Sequence, residues 1–195
     1  MLKKLLLWAL CSLVCGSLHA QAKSSGLGRP ASVDEVKQRD ITTLPTGAGL
    51  PDGKGTSVQG EAVYRDKCAS CHGPNGEGNL PQGPQLVGGI GTLGTDNPIR
   101  TVGSFWPYAT SVWDYIHRAM PLNQPGSLSA DDTYAVTAFL LNRNKIIQPD
   151  EVMNNETLPK VRMPNRDGFI PDARPDVGKN SPGSGDNKTR KSQAQ

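Results

Sequence analysis

Cys68, Cys71 and His72 stand together in the stretch KCASCHGPNGEG, Lys67 to Gly78. Two thiols three apart, with an imidazole directly after the second, admit three chemistries. A structural zinc ion needs four ligands in a tetrahedron. Beyond residue 22 the chain offers only Cys68, Cys71, His72 and His117, and two of these are adjacent. A thiol–disulfide exchanger places Cys-x-x-Cys at a helix start beside a strand. Here GEAVYRDK before Cys68 reads as helix, no strand–helix–strand pattern surrounds it, and His72 would have no task. Covalent c-type haem uses all three residues: the thiols add to the two vinyl groups as thioethers, and the histidine supplies the fifth ligand to iron. The pattern points to one covalently bound haem c on Cys68 and Cys71, with His72 on the metal.

A haem iron held by His72 needs a sixth partner or an open face. Met120 precedes Pro121 and a loop that leads to the last helical segment, so its thioether is the expected sixth ligand. His117, one helical turn earlier, is the competitor, and an open position is the third case. His/Met ligation raises the reduction potential relative to more basic ligand sets. It also fills both axial positions, which argues against gas binding or peroxide chemistry.

These residues need helices to carry them. Gly60, Tyr64 and Cys68 recur every four residues and so share one helix face. Gly60 lets another helix cross closely, and Tyr64 packs beside the crossing. The partner is LSADDTYAVTAFLLNRN, with Ser129 as N-cap, Asp131 and Asp132 in the first turn, and Val136, Phe139 and Leu140 as its apolar face. A further helix is expected over Thr110–Met120, with Trp113 and Ile116 inward and an end before Pro121. Gly73 to about Gly103 is rich in Gly and Pro without a sustained period and reads as loop.

The chain has 195 residues, 22 of them Gly and 16 Pro, and is 35% apolar. That supports one domain of about 100 residues with extensions. Residues 1–22 read as a secretory signal peptide: Lys3 and Lys4, an apolar run from Leu5 to about Leu18, then small residues. No membrane span is expected after its cleavage. Without Lys3 and Lys4 the bases and acids nearly balance, and nothing calls for nucleic acid. Cys11 and Cys15 leave with the signal, so no disulfide framework remains.

The run GEAVYRDKCASCHGPNGEG, the segment GPQLVG and the pair Met120-Pro121 resemble class I cytochrome c over about Ser57 to Lys145. The resemblance implies an all-α fold in which the Pro84 carbonyl accepts a hydrogen bond from His72, which would fix the ring and raise its basicity. It gives a cytochrome c domain at 57–145, an irregular N-terminal extension at 23–56, and a C-terminal arm at 146–195 that is disordered toward its end. The segments GLGRPASVDEVKQRDI, LPTGAGLPDGKGT, SFWPYATSVWDYIHRAMP and LPKVRMPNRDGFIPDARPD are similar to the cytochrome subunit of bacterial sulfite or Sox-type sulfane dehydrogenases. Some members of that family carry two haems. This chain has a single Cys-x-x-Cys-His, so a second haem's role does not transfer. The same likeness makes Trp106 a haem-propionate donor, with Tyr108 as alternative and Arg100 and Arg118 offsetting propionate charge.

The expected function is periplasmic electron transfer. A molybdenum-containing dehydrogenase subunit acting on sulfite or a sulfane would be the donor, and another cytochrome or a terminal oxidase the acceptor. No substrate chemistry is expected on this chain. The rivals are a general soluble shuttle with no dedicated dehydrogenase, and a haem enzyme or sensor with an open sixth position. The flanks hold few apolar residues. Leu158–Pro175, with Val161, Met163, Phe169 and Ile170, is expected to dock on the haem domain or on a partner.

Overall fold

The computed structural model describes residues 27–170. The expected signal peptide and the tail expected to be disordered lie outside the described residues. The chain divides into two units, one up to Asp40 and one from Ile41 onward. The first carries helix α1, Val33–Arg39. Ser32 caps it: its hydroxyl accepts from the Glu35 amide, and the Glu35 carboxylate accepts from the Ser32 amide. Arg29 also pairs with Glu35 and, with the Ser32 amide, holds that carboxyl down at about 2.

The second unit runs β1 (Lys54–Gly55), α2 (Ser57–Lys67), α3 (Ala69–His72), α4 (Ala109–Ala119), α5 (Ala130–Arg143), β2 (Met153–Asn154) and a 3-10 turn at Leu158–Lys160. It is helical, with a single two-stranded antiparallel sheet among the described residues. The expected helix over 110–120 is observed as Ala109–Ala119, with Trp113 and Ile116 buried. Residues 73–103 form turns and loops, with one isolated bridge between Asn79 and Gly83.

Helix α2 starts at a capping box in which Thr56 and Gln59 satisfy each other's free amides. It crosses α5 at the expected glycine. A Cβ on Gly60 would run into the Ala135 carbonyl and stand 2.9 Å from Phe139 Cβ. Tyr64 stacks beside this crossing, its ring centroid 4.8 Å from that of Phe139. Ser129 caps α5, accepting from the Asp132 amide at 3.0 Å.

Helix α5 differs from the amphipathic element that its pattern predicts. Every residue from Thr133 to Leu141 is buried. Two polar residues go inside because their hydroxyls bond back along the helix, Thr133 to the Ser129 carbonyl and Thr137 to the Thr133 carbonyl, each at 2.7 Å.

The flanks supply the rest of its cover. Gly55 lies against Ala135, and Tyr134 donates to the Pro51 carbonyl at 2.9 Å. The flanks, though they hold few apolar residues, bury several of them, and the expected docking of the segment from Leu158 is seen at Leu158 and Met163. Ile147, Met153, Leu158 and Met163 all belong to the core, and Leu158 is fully enclosed. Each such side chain contributes about 1.5–3 kcal/mol of burial. Phe169 and Ile170 remain exposed.

Candidate functional site

The two thiols and the imidazole sit on one short turn of helix. The Cys68 amide still bonds the Tyr64 carbonyl at 2.8 Å, but Cys68 leaves helical geometry and ends α2. Its own carbonyl then accepts from Cys71 and His72 at 3.1 and 3.0 Å, starting α3. Tyr64 closes the far end by donating to the Gly73 carbonyl at 2.8 Å. Cys71 is exposed and Cys68 half-buried, and no disulfide joins them.

His72 Nδ1 lies 2.8 Å from the Pro84 carbonyl. A carbonyl only accepts, so Nδ1 carries the hydrogen and Nε2 keeps its lone pair for a metal. Gly83 makes this approach possible: a Cβ there would meet the Cys71 carbonyl oxygen at 2.6 Å and His72 Nδ1 at 3.0 Å. The loop that follows is tied down at Gly76, whose carbonyl accepts from Leu86 and Val87 at 2.8 and 3.0 Å.

Met120 terminates α4, its amide bonded to the Ile116 carbonyl at 3.0 Å. It is half-buried against the same core that Cys68, Leu86, Val87 and Trp106 flank. His117 turns its ring flat onto Trp113, with centroids 4.6 Å apart, and its Nδ1 is buried without a hydrogen-bond partner. The Trp106 ring lies 5.7 Å from that of Tyr115. Tyr108 is covered by the Arg166 guanidinium at 4.2 Å, and Arg100 lies over Phe105 at 5.5 Å. Arg118 bonds Asp114 and the Ile41 carbonyl. The structure thus joins His72 to Pro84, and sets Met120 and Trp106 at the margin of the same core. It engages Tyr108, Arg100 and Arg118 in contacts of their own.

Two features escaped the sequence reading. Asn144, just past α5, is buried and bonds three main-chain groups. Its only sequence signal is an amide residue at a helix end. Asn165, in the C-terminal arm, donates to the Phe105 carbonyl at 2.7 Å, next to Trp106. Nothing local in the sequence marks it.

The chemistry of the donor set suits a c-type haem. Burial, and then the neighbouring Cys71, push the Cys68 thiol up to about 11. An exchanger needs the opposite, a thiol made acidic. Among the described residues no three His, Cys, Asp or Glu side chains converge as a metal site. Leu80 and Leu122, close in sequence to His72 and Met120, are 81% and 78% exposed.

A helical fold with its first and last main helices crossed at a glycine, and a Cys-x-x-Cys-His turn whose histidine bonds a proline carbonyl, define a class I c-type cytochrome. The cytochrome c family model matches residues 57–144. The chain belongs to the cytochrome c family, whose cofactor is haem c.

The likeness extends beyond that domain. A chain in the crystal structure of the sulfane dehydrogenase SoxCD from Paracoccus pantotrophus is 46% identical, with a TM-score of 0.70 over 77% of this chain and 73% of that one. The thiosulfate dehydrogenase of Allochromatium vinosum is 26% identical over 138 residues, 65% of this chain and 50% of that protein. The cbb3-type cytochrome c oxidase subunit CcoP of Rhodobacter capsulatus is 35% identical over 74 residues, 37% of this chain and 24% of that protein. The chain spans half or less of the length of these curated relatives.

Proposed function

We propose that this chain is a periplasmic monohaem cytochrome that accepts electrons from a molybdenum-containing sulfite or sulfane dehydrogenase subunit and passes them toward the respiratory chain. Cys68 and Cys71 hold the haem as thioethers, His72 and Met120 are its axial ligands, and Trp106 reaches a propionate. Residues 57–145 form the haem domain, flanked by 23–56 and 146–195 once 1–22 has been removed. The acceptor is a further cytochrome or a terminal oxidase.

The observation that carries the haem reading is the 2.8 Å contact between His72 Nδ1 and the Pro84 carbonyl. The haem supplies one-electron ferric/ferrous chemistry when bound. The chain's own residues orient the imidazole and leave Nε2 free for a metal. The Met120 assignment is supported by His117, whose ring is engaged in stacking on the buried Trp113 and whose Nδ1 is itself buried. The sulfur-oxidation reading is supported by the likeness to SoxCD and to thiosulfate dehydrogenases. No helix among the described residues is long and apolar enough to cross a membrane.

The test is spectroscopic. Oxidised haem protein is mixed with periplasmic extract of the native host, and sulfite or thiosulfate is added in turn. Rapid haem reduction that needs both extract and one substrate supports the proposal and names the substrate. A haem that stays oxidised with both, yet is reduced by ascorbate, leaves a general soluble shuttle.

A further inference from the structure

We propose that Asn144 is a positioning residue for the axial imidazole: it clamps the loop that carries the Pro84 carbonyl and thereby sets the reduction potential. The inference rests on the reading of His72 as an iron ligand. Asn144 is 3% exposed and sits where α5 ends, 72 residues after His72 in the chain. Its Oδ1 accepts from the Gly88 amide at 2.9 Å. Its Nδ2 donates to the Leu86 carbonyl at 3.2 Å and to the Leu140 carbonyl at 2.8 Å. One buried side chain therefore bolts the 86–88 turn to the helix end.

The fold has made room for this clamp. A Cβ on Gly103 would meet Asn144 Cγ at 2.6 Å and its Cβ at 2.9 Å, so only glycine fits there. The turn is held from a second side as well. The Val102 amide bonds the Leu86 carbonyl at 3.2 Å, and the Thr101 hydroxyl donates to the Gly88 carbonyl. Pro84 lies two residues before Leu86 and has no amide hydrogen of its own. The place of its carbonyl is thus inherited from anchors at Gly83 and at 86–88.

That carbonyl decides how electron-rich His72 is. A short Nδ1–H bond to a carbonyl raises the basicity of the ring, and a more basic axial ligand favours ferric iron. When the clamp is lost, the part-buried Gly88 amide loses its partner, while the Leu86 and Leu140 carbonyls each keep one main-chain donor, Val102 and Asn144. The turn relaxes, the His72–Pro84 bond lengthens, and the potential rises.

The experiment compares wild-type holoprotein with Asn144→Ala, Thr101→Val and Leu158→Ala. The last removes a fully buried side chain from the C-terminal arm, so it reports general loss of stability. Two quantities are read: the reduction potential, and solvent exchange of the His72 Nδ1 hydrogen by NMR in the reduced state. Asn144→Ala and Thr101→Val are expected to raise the potential and speed the exchange, the former more, while Leu158→Ala lowers the melting temperature and leaves both unchanged. Wild-type values in both loop variants would overturn the proposal, as would an equal shift in Leu158→Ala. If Asn144→Ala yields no haem protein, Thr101→Val against Leu158→Ala decides alone. A wild-type protein without covalent haem would sink the haem reading itself, and this is seen before any variant is compared.

Discussion

Gly60 lies so close beneath Ala135 that a single methyl group on it would overlap the Ala135 carbonyl. The contact is main chain against main chain, so no side chain can swing away to relieve it. Gly60→Ala is expected to force α2 and α5 apart and cost about 3 kcal/mol, at the upper end for overpacking. A denaturant midpoint close to wild type would show that the crossing can shift.

Met120 is the expected sixth ligand. Met120→Ala should open one axial face, so that the reduced protein binds carbon monoxide at once, whereas wild type does not. The potential should fall, since the thioether is the ligand that raises it. His117→Ala should behave as wild type in the carbon monoxide assay. The reverse result would move the ligand to His117.

The C-terminal arm is part of the core. Met163 and Leu158 are fully buried, and Asn165 and Arg166 grip the Phe105–Tyr108 segment. Met163→Ala is expected to cost about 2–5 kcal/mol. Lys160→Ala, on the exposed side of the same arm, should change the thermal midpoint little. Equal effects from the two would mean that the arm is not docked in solution.

Alkaline pH should loosen the helix crossing. Burial pushes Tyr64 up to about 12, and Tyr134 likewise, from an ordinary value near 10. A phenol whose folded value is raised adds stability that is complete below about pH 10 and is lost as pH climbs through 12. Tyr64→Phe should lose about 1 kcal/mol of hydrogen bonding at neutral pH. It should also flatten the fall in stability between pH 10 and 12. Denaturant midpoints measured across that range check the slope.

The haem turn and its crossing were legible because each rests on short-range rules. Gly60, Tyr64 and Cys68 keep helical spacing and Ser129 precedes two acids, whereas the place of Pro84 came from the likeness to class I cytochrome c. The surroundings of that frame were less so. The docking of Leu158 and Met163 was expected from the apolar residues of their segment, but Ile147 and Met153 lie in no sustained period that would mark them as core. Thr133 and Thr137 are polar by type, and only their bonds to carbonyls one turn back let them go inside. Helix α1 is seven residues long, and its one clear mark, the reciprocal capping of Ser32 and Glu35, has no apolar run behind it. Asn144 acts on a loop more than fifty residues away in the chain, a relation that only the folded state creates.

The small sheet that joins Lys54 to Asn154 bears on the order in which the chain matures. It closes a circuit of about a hundred residues, and contacts of such range form late and slowly. The Cys68–His72 turn is local and complete long before that circuit closes. During synthesis the thiols emerge first, while the strand at Met153 that seals the far side of α5 has not yet been made. The Cys68–His72 turn is therefore made well before the strand that pairs with Lys54–Gly55.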